Sequence, residues 1–425
     1  MADSLEHIWA HCLKVAARTD VGLRRSNNQD SFTVDIAPGQ QAFEQRGHLF
    51  VVADGMGAHA AGELASKIAT DSVALAYRKL KDLSPPEALL TAVREANTKI
   101  HTKGQTSDDF RGMGTTISAL AILPQGAVIA QVGDSRVYRY RNHKIEQLTF
   151  DHSMVWELRA ANQFPDGKVP DFIPKNVITR SLGPNPEVQV DLEGPFPIQA
   201  GDVFLLCSDG LSNQFDDAEL GQILASLPPE EAVEALVDLA NLRGGPDNIT
   251  VIVVQVLGPQ QAHEDKSQPA PPTGQRMSMY RLLGWALALV LAIGAGFLWL
   301  EAYPVAALAS LVVAAGLAVL SSLREHVHGS TFGLRRLGKG PYTAAECRPG
   351  EDLVRNLQGV IRDLRRAAAE ENWEIDWSRF DAHEQTGDKA LSDGDFAAAI
   401  AGYCRAISDL MRQLKGRRER TETIF

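Results

Sequence analysis

The amino-acid sequence predicts an α+β fold in which two packed, mainly antiparallel β-sheets are flanked by pairs of helices. Three observations support this prediction. Short apolar runs rich in β-branched residues follow one another through short turns over the first 257 residues, as an antiparallel sheet requires. Amphipathic segments arrive in pairs between groups of strands, which argues against the regular alternation of a Rossmann fold. After residue 257 the composition changes to two long apolar stretches and a charged, helical tail.

The individual elements follow from the hydrophobic periodicity. Apolar runs bounded by turn residues predict strands at residues 13–17, 31–35, 49–53, 115–123, 127–132, 136–139, 144–148, 203–207 and 250–256. Apolar stripes at helical spacing predict helices at residues 61–80, 85–103, 153–161, 217–227 and 230–242. Two sheets with helix pairs on their outer faces account for this order of elements.

A set of aspartates stands at the ends of several predicted strands. They are Asp30, Asp54, Asp134, Asp209 and Asp247. Three of them follow apolar runs, at residues 49–53, 128–132 and 203–207. A carboxylate at a strand end is held on a rigid element and still reaches solvent. Several that converged at one sheet edge would repel one another unless a hard cation joined them, so the pattern predicts a divalent-metal site.

Aspartates at strand ends can also serve turns or a structural calcium site. A single Asp-Gly step is usually only a turn, because both residues suit turn geometry. Calcium loops collect their ligands at close spacing, whereas these aspartates are far apart in the sequence. Carboxylates assembled over long range suit Mg²⁺ or Mn²⁺, for which water supplies much of the shell. The sequence contains no HExxH motif, Cys–His cluster or P-loop, which disfavours zinc and nucleotide-hydrolysis sites.

Six segments occur in an order and at a spacing typical of one family. They are RSNNQDSF, ADGMGAHAAGE, GMGTT, VGDSR, LLCSDGL and GGPDNITV. In these segments the chain resembles the bacterial PPM-type (type 2C) metal-dependent serine/threonine protein phosphatases, and the resemblance covers about residues 13–257. It implies a phosphatase domain over residues 1–257, folded as a four-layer α-β-β-α sandwich.

The resemblance also implies a ligand set for manganese or magnesium. Asp54 would bridge two metal ions, with the carbonyl of Gly55 on one of them. Asp209 and Asp247 would complete the first metal site. Asp134, together with Asp209, matches the position of a third and more weakly held ion. The cofactor implied is therefore Mn²⁺ or Mg²⁺, as two ions with a third at the weaker position.

Two further residues receive a role from the resemblance. Arg25 matches the phosphate-binding arginine, whose planar fork can hold two phosphate oxygens at once. Asp30 would orient metal-bound water from outside the ligand set. The sequence departs from the family at Gln29, where many relatives have Glu, and at Met56, where animal members have a His proposed as the general acid. His59 is the nearest alternative, but a His packed at a helix start explains it equally well, so no residue is assigned as the general acid.

Charge and cysteine content restrict the class of protein. The 425 residues carry a formal net charge of −11, which argues against nucleic acid as a partner. The cysteines, Cys12, Cys207, Cys347 and Cys404, show no CxxC spacing, and a reduced compartment fits them best.

Two apolar stretches follow a Pro/Gln-rich linker at residues 258–276. They occupy residues 282–300 and 305–323 and contain no charged residue. A helix of this length spans about 28 Å, which predicts a two-helix transmembrane hairpin over residues 282–323, with a buried hairpin of a soluble domain as the alternative. Positive charges flank only its outer ends. The positive-inside rule therefore predicts a multi-pass protein of the cytoplasmic membrane whose catalytic domain and tail both lie in the cytoplasm.

The tail, at residues 350–425, is predicted to be helical. Glu351–Glu370 has an apolar stripe at helical spacing. Residues 380–414 resemble one tetratricopeptide hairpin, although an ordinary helical hairpin fits as well. One such unit cannot normally bury its apolar face alone, so the Glu351–Glu370 helix or a protein partner is expected to cover it.

These patterns together predict hydrolysis of phosphoserine and phosphothreonine in cytoplasmic proteins by a water activated at a binuclear Mn/Mg centre. The expected partners are phosphoprotein substrates of a Ser/Thr kinase, the membrane, and a protein that binds the tail. One alternative is a catalytically weak, phosphatase-like membrane scaffold or sensor that recruits partners through its tail. Another is a hydrolase of small phosphoesters, which would need a closed pocket. Retention of Arg25 and all the matched aspartates favours the protein phosphatase.

Overall fold

The computed structural model describes residues 12–58, 60–161, 173–174, 177–257 and 336–422. In chain order its strands are β1 (Leu13–Asp20), β2 (Asp30–Asp35), β3 (His48–Met56), β4 (Gly114–Thr115), β5 (Ile117–Leu123), β6 (Gly126–Val132), β7 (Arg136–Arg141), β8 (Lys144–Gln147), β9 (Asp191–Phe196), β10 (Val203–Cys207), β11 (Ile249–Val256) and β12 (Thr343–Glu346). Its helices are α1 (Gln40–Arg46), α2 (Ala61–Lys79), α3 (Pro85–Gly104), α4 (Met154–Ala160), α5 (Asp209–Ser212), α6 (Asp217–Ser226), α7 (Pro229–Leu242), α8 (Glu351–Glu370), α9 (Trp377–Ser392) and α10 (Phe396–Glu422).

The strands form two sheets. The first has the order β1-β11-β10-β7-β8-β12, and the second has the order β2-β3-β5-β6-β9, with β4 beside β3. Every strand pair among the described residues is antiparallel. Helices α2 and α3 pack beside the second sheet, and α6 and α7 beside the first. The predicted sandwich of two antiparallel sheets with flanking helices is confirmed.

Strand β10 shows why this sequence folds as a layered sandwich. Phe204 and Leu206 lie in the core between the two sheets. Leu205 and Cys207, the alternate residues, lie in the core between the first sheet and its helices. Because successive side chains of a strand point to opposite faces, a strand that is apolar on both faces must be covered on both. The uninterrupted apolar run of β10 therefore places it in the middle of the layers.

The C-terminal segment packs onto the first sheet and its helices. Strand β12 pairs with the edge strand β8. Helix α10 packs against α8 and α9 of the same segment and also against α6 and α7. Apolar side chains of α7, such as Leu236, and of α10, such as Ile407, belong to one continuous core. The apolar face of the α9–α10 hairpin is thus covered within the chain, by α8 and by helices α6 and α7.

The predicted membrane location is wrong. In the part of the chain that the structure describes, no helix is both long enough and apolar enough to cross a membrane. A spanning helix needs about 20 mainly apolar residues, whereas α10 carries charged residues such as Arg405, Asp409 and Arg412. The predicted spans at 282–300 and 305–323 lie outside the described residues, as does the linker at 258–276. A membrane location is therefore not retained.

The close approach of the C-terminal segment to α6 gives a stability prediction. A Cβ atom on Gly221 of α6 would lie 2.5 Å from the Cβ and Sγ atoms of buried Cys347. We expect Gly221→Ala to lower the free energy of unfolding by about 1–3 kcal/mol, because overpacking outweighs the better helix propensity of Ala. Gly359→Ala in α8 is the matched control, since its nearest neighbour is the end of Arg362 at 3.9 Å.

Urea unfolding of the full chain measures both substitutions. Gly359→Ala should raise the free energy of unfolding by up to about 1 kcal/mol. Stabilisation by Gly221→Ala would contradict the packing of Cys347 on α6.

Candidate active site

Five aspartates meet at one end of the sandwich because the strands that carry them begin or end there. Asp30 begins β2 and lies directly across the ladder from Asp54 in β3. Asp209 follows β10 as the first residue of α5, and Asp247 precedes β11, the neighbour of β10. Asp134 occupies the turn between β6 and β7. The structure thus brings together all five aspartates predicted from the sequence.

Asp54 is held by the two threonines of the GMGTT segment. The hydroxyl of Thr115 donates to the Asp54 carbonyl at 2.8 Å, and the backbone N–H of Thr116 donates to the same oxygen at 2.8 Å. The Thr116 hydroxyl accepts from the Asp54 N–H at 2.9 Å. The next residue, Gly55, must lack a side chain, because a Cβ there would lie 2.1 Å from the carbonyl oxygen of Gly62. The Asp54 backbone therefore has a defined position.

Asp30 is almost fully buried and held by its neighbours. Its Oδ2 accepts a hydrogen bond from the Ser208 hydroxyl at 2.7 Å, and Ser208 in turn accepts from the N–H of Thr250 at 2.9 Å. Burial raises the pKa of Asp30 to about 7, the hydrogen bonds oppose that rise, and the charge of nearby Asp209 adds to it. Asp30 is therefore connected to both sheets at the point where they meet.

The remaining carboxyl groups destabilise one another in the charged form. Burial, followed by the charges of Asp30, Asp209 and Asp134, raises the pKa of Asp54 well above its ordinary value. Burial and the charge of Asp209 raise the pKa of Asp134 to about 8. Burial and the charge of Asp247 raise the pKa of Asp209. In this poorly solvated place the charged forms of these carboxyl groups are therefore unfavourable unless a cation balances them.

This donor set fits a divalent metal ion. One buried oxygen in each of Asp30, Asp134 and Asp209 has no hydrogen-bond partner among the described residues. Buried polar atoms in native proteins are nearly always satisfied, and oxygens that serve as ligands of an ion are a recognised exception. As they stand, no three His, Cys, Asp or Glu side chains among the described residues form a group that could hold a metal ion, so a bound ion would have to draw the carboxylates closer together. Asp30 and Asp54 nevertheless lie directly opposite each other in the β2–β3 ladder, and carboxylate oxygens are the ligands preferred by Mg²⁺ and Mn²⁺.

Arg25 stands at the exposed rim of this group. Its Nη2 donates to Oδ2 of Asp247 at 2.8 Å, and half of its side chain is exposed. The hydrogen bond from Arg25 to Asp247, supported by the charges of Asp54 and Asp209, raises the pKa of the guanidinium further. The guanidinium therefore contacts the carboxylate group on one side and solvent on the other.

Sequence reasoning missed Asn248, which joins two loops of the site. Its Oδ1 accepts from the N–H of Gln29 at 2.8 Å, and its Nδ2 donates to the carbonyls of Val21 and Asn27 at 2.9 and 3.0 Å. The side chain therefore ties the loop that carries Arg25 to the segment that carries Asp247. The sequence signal that could have identified Asn248 is its position in the GGPDNITV segment, directly after Asp247. The Gln29 side chain has a structural role, because its amide donates to the carbonyl of Gly57 at 3.2 Å.

The structure assigns no general acid. Met56 ends β3 beside the site, and its thioether cannot protonate a leaving group. His59 lies outside the described residues.

Comparison with known proteins identifies the family. The family model described as "Protein phosphatase 2C" matches residues 24–240. This chain belongs to the protein phosphatase 2C family. It is 37% identical to the protein phosphatase PhpP of Streptococcus pneumoniae, over 57% of this chain and 98% of that protein. The predicted enzyme class, a protein serine/threonine phosphatase, is confirmed by this membership.

Solved structures agree with the fold. The serine/threonine phosphatase of S. agalactiae is 35% identical and covers 57% of this chain and 99% of its own, with a TM-score of 0.50. The PPM Ser-Thr phosphatase MsPP of Mycobacterium smegmatis, solved in complex with cacodylate, is 33% identical and covers 57% of this chain and 98% of its own, also with a TM-score of 0.50. The C-terminal residues 336–422 lie outside the part matched by the family model.

Proposed function

We propose that this phosphatase hydrolyses phosphoserine and phosphothreonine in protein substrates at a binuclear Mn²⁺ or Mg²⁺ centre. The observation that carries the proposal is the group of five converging aspartates beside the half-exposed guanidinium of Arg25. Three of these aspartates have a buried oxygen without a hydrogen-bond partner in the described part of the chain. A phosphomonoester dianion is repelled by such a group unless cations balance the charge, so the site requires metal to accept its substrate.

The residues that would hold the metal are Asp54, the Gly55 carbonyl, Asp209 and Asp247, with Asp134 and Asp209 at a third and weaker position. When bound, two such ions lower the pKa of a shared water and neutralise phosphoryl oxygens. The support in this chain is the burial of the carboxyl groups and their mutual electrostatic strain.

Arg25 is proposed to bind the phosphate of the substrate. In the structure its guanidinium pairs with Asp247, which keeps it at the rim of the site. When Asp247 serves as a ligand, the planar fork can donate to two phosphate oxygens at once. Arg25 would therefore orient the phosphoryl group and offset its charge, and it would take no part in holding metal.

Asp30 is proposed to position the attacking water, because its Oδ2 is fixed by Ser208 while its Oδ1 has no hydrogen-bond partner within the described ranges. A covalent route through the nearby cysteine is disfavoured. Cys207 is fully buried on the helix side of β10, and burial raises the pKa of its thiol to about 12. Such a thiol is protonated at neutral pH and is a poor nucleophile.

The metal assignment predicts that Asp54→Asn abolishes nearly all hydrolysis of a phosphothreonine peptide in Mn²⁺. Loss of a ligand charge empties or displaces a bridging ion. The control is Asp71→Asn, whose carboxylate pairs with Lys67 on the exposed face of α2 and should leave turnover unchanged. Substantial Mn²⁺-dependent turnover by Asp54→Asn would show that the binuclear assignment is wrong.

Arg25→Ala should act on the substrate and not on the metal. We expect kcat/KM to fall by roughly 10- to 150-fold, the range for a charge-assisted hydrogen bond of about 1.5–3 kcal/mol, while Mn²⁺ affinity stays near that of the parent. Arg25→Lys should recover only part of the loss. The neighbouring Arg24, whose side chain is exposed, supplies the control substitution Arg24→Ala. An equal loss of Mn²⁺ affinity and of kcat/KM in Arg25→Ala would contradict the role in phosphate binding.

A further inference from the structure

The C-terminal helix α10 reaches the base of the loop that carries Arg25. Nζ of Lys415 donates to Oδ2 of Asp20 at 2.7 Å and to Oδ1 of Asp238 at 3.3 Å. Asp20 is the last residue of β1, and Asp238 lies in α7. One side chain from outside the family-matched region thus bridges a strand and a helix of the phosphatase domain.

A tight turn connects Asp20 to the site. Its Oδ1 accepts from the N–H of Gly22 at 3.0 Å and from Nδ2 of Asn241 at 3.1 Å. Gly22 has a φ of +79°, and a Cβ there would lie 2.2 Å from the carbonyl oxygen of Asp247. The turn fixed by Asp20 therefore packs directly on the backbone of a proposed metal ligand.

The same turn leads into the Arg25 loop. The N–H groups of Leu23 and Arg24 both donate to the carbonyl of Gly245, at 2.9 and 3.2 Å. Arg25 follows at once and pairs with Asp247. The turn fixed by Asp20 therefore contacts both loops, the one that presents Arg25 and the one that presents Asp247. Lys415 contacts the carboxylate of Asp20.

We propose that Lys415 is a positioning residue for phosphate binding, through which the C-terminal segment holds the Arg25 loop in place. This inference rests on the proposed function, in which Arg25 binds the substrate phosphate. Asp20 and Asp238 are both mostly buried carboxylates, and Lys415 contacts both. Without the charge of Lys415, Asp238 would keep Arg18, whose Nη2 lies 3.7 Å from Oδ1, whereas Asp20 would lose this ion pair. Asp20 would then turn toward solvent and release the N–H of Gly22.

Arg412 provides a matched control. It lies nearly one turn before Lys415 on the same helix and pairs with Glu234 of α7 at 2.8 Å. This ion pair also joins α10 to the phosphatase domain, but it has no described contact with the Arg25 loop. A general weakening of helix docking should therefore appear equally in Arg412→Met and Lys415→Met, whereas a positioning effect should appear only in the second.

The experiment compares the full-length chain with Lys415→Met, Lys415→Arg and Arg412→Met, using a phosphothreonine peptide at saturating Mn²⁺ and inorganic phosphate as competitor. For Lys415→Met we expect KM and the inhibition constant of phosphate each to rise by roughly 2- to 5-fold, with kcat within about 2-fold of the parent, as suits one partly exposed ion pair. Lys415→Arg should restore both constants, and Arg412→Met should leave them unchanged.

Three outcomes would overturn the inference: parental constants in Lys415→Met, equal effects of Lys415→Met and Arg412→Met, or a fall in kcat alone. A thermal scan of each variant shows whether it is folded, and Asp20→Asn is a second variant that should raise the same two constants. A failure of the proposed function would be seen separately, because Asp54→Asn tests that function without involving the C-terminal segment.

Discussion

The mutual repulsion of buried carboxylates is the constraint on which the rest of this structure depends. Asp54 lies among Asp30, Asp134, Asp209 and Asp247, and burial raises the free energy of its charged form further. No single strand creates this arrangement. It arises because strands of both antiparallel sheets end at the same place, and each sheet supplies aspartates to the cluster there. A fold that keeps such a cluster gives up stability there, which is typical of a functional site.

The cluster persists because hydrogen bonds fix the backbone around it. Thr115 and Thr116 hold Asp54, Ser208 holds Asp30, and Asn248 joins the loops that present Arg25 and Asp247. Each of these groups is small and mostly buried, so it restricts position without blocking access to the rim. The C-terminal segment adds another support from outside the domain. A catalytic site that is preorganised in this way spends less of its binding energy on ordering its own groups.

Much of this could be predicted from the sequence. An apolar run such as that of β10 predicts a buried strand, and an Asp that follows it must lie near the end of that strand, so Asp54, Asp134 and Asp209 could be identified in this way. Asp30 and Asp247 were identified from the RSNNQDSF and GGPDNITV segments. Strands β9 and β12 could not be predicted. The β9 sequence DLEGPF contains charges and a Gly-Pro step, and the β12 sequence TAAE is short and poor in β-branched residues. Each forms because the edge of a neighbouring strand, β6 or β8, is there to pair with it. The apolar stripe of α8 and α10 indicated that something covers it, but periodicity cannot name the partner surface. The membrane location was predicted from residues 282–323, and among the described residues no helix is long and apolar enough to cross a membrane.

The most direct test is the thermal unfolding of the full chain and of Asp54→Asn, each with and without Mn²⁺. If the carboxylates repel one another and are stabilised by metal, the parent midpoint should rise by about 4 °C or more when free Mn²⁺ is at a hundredfold excess over its Kd. Asp54→Asn should be at least as stable as the parent in metal-free buffer and should gain much less from Mn²⁺. Equal midpoints of the parent with and without Mn²⁺, or an equal gain in both proteins, would contradict a metal centre built on Asp54.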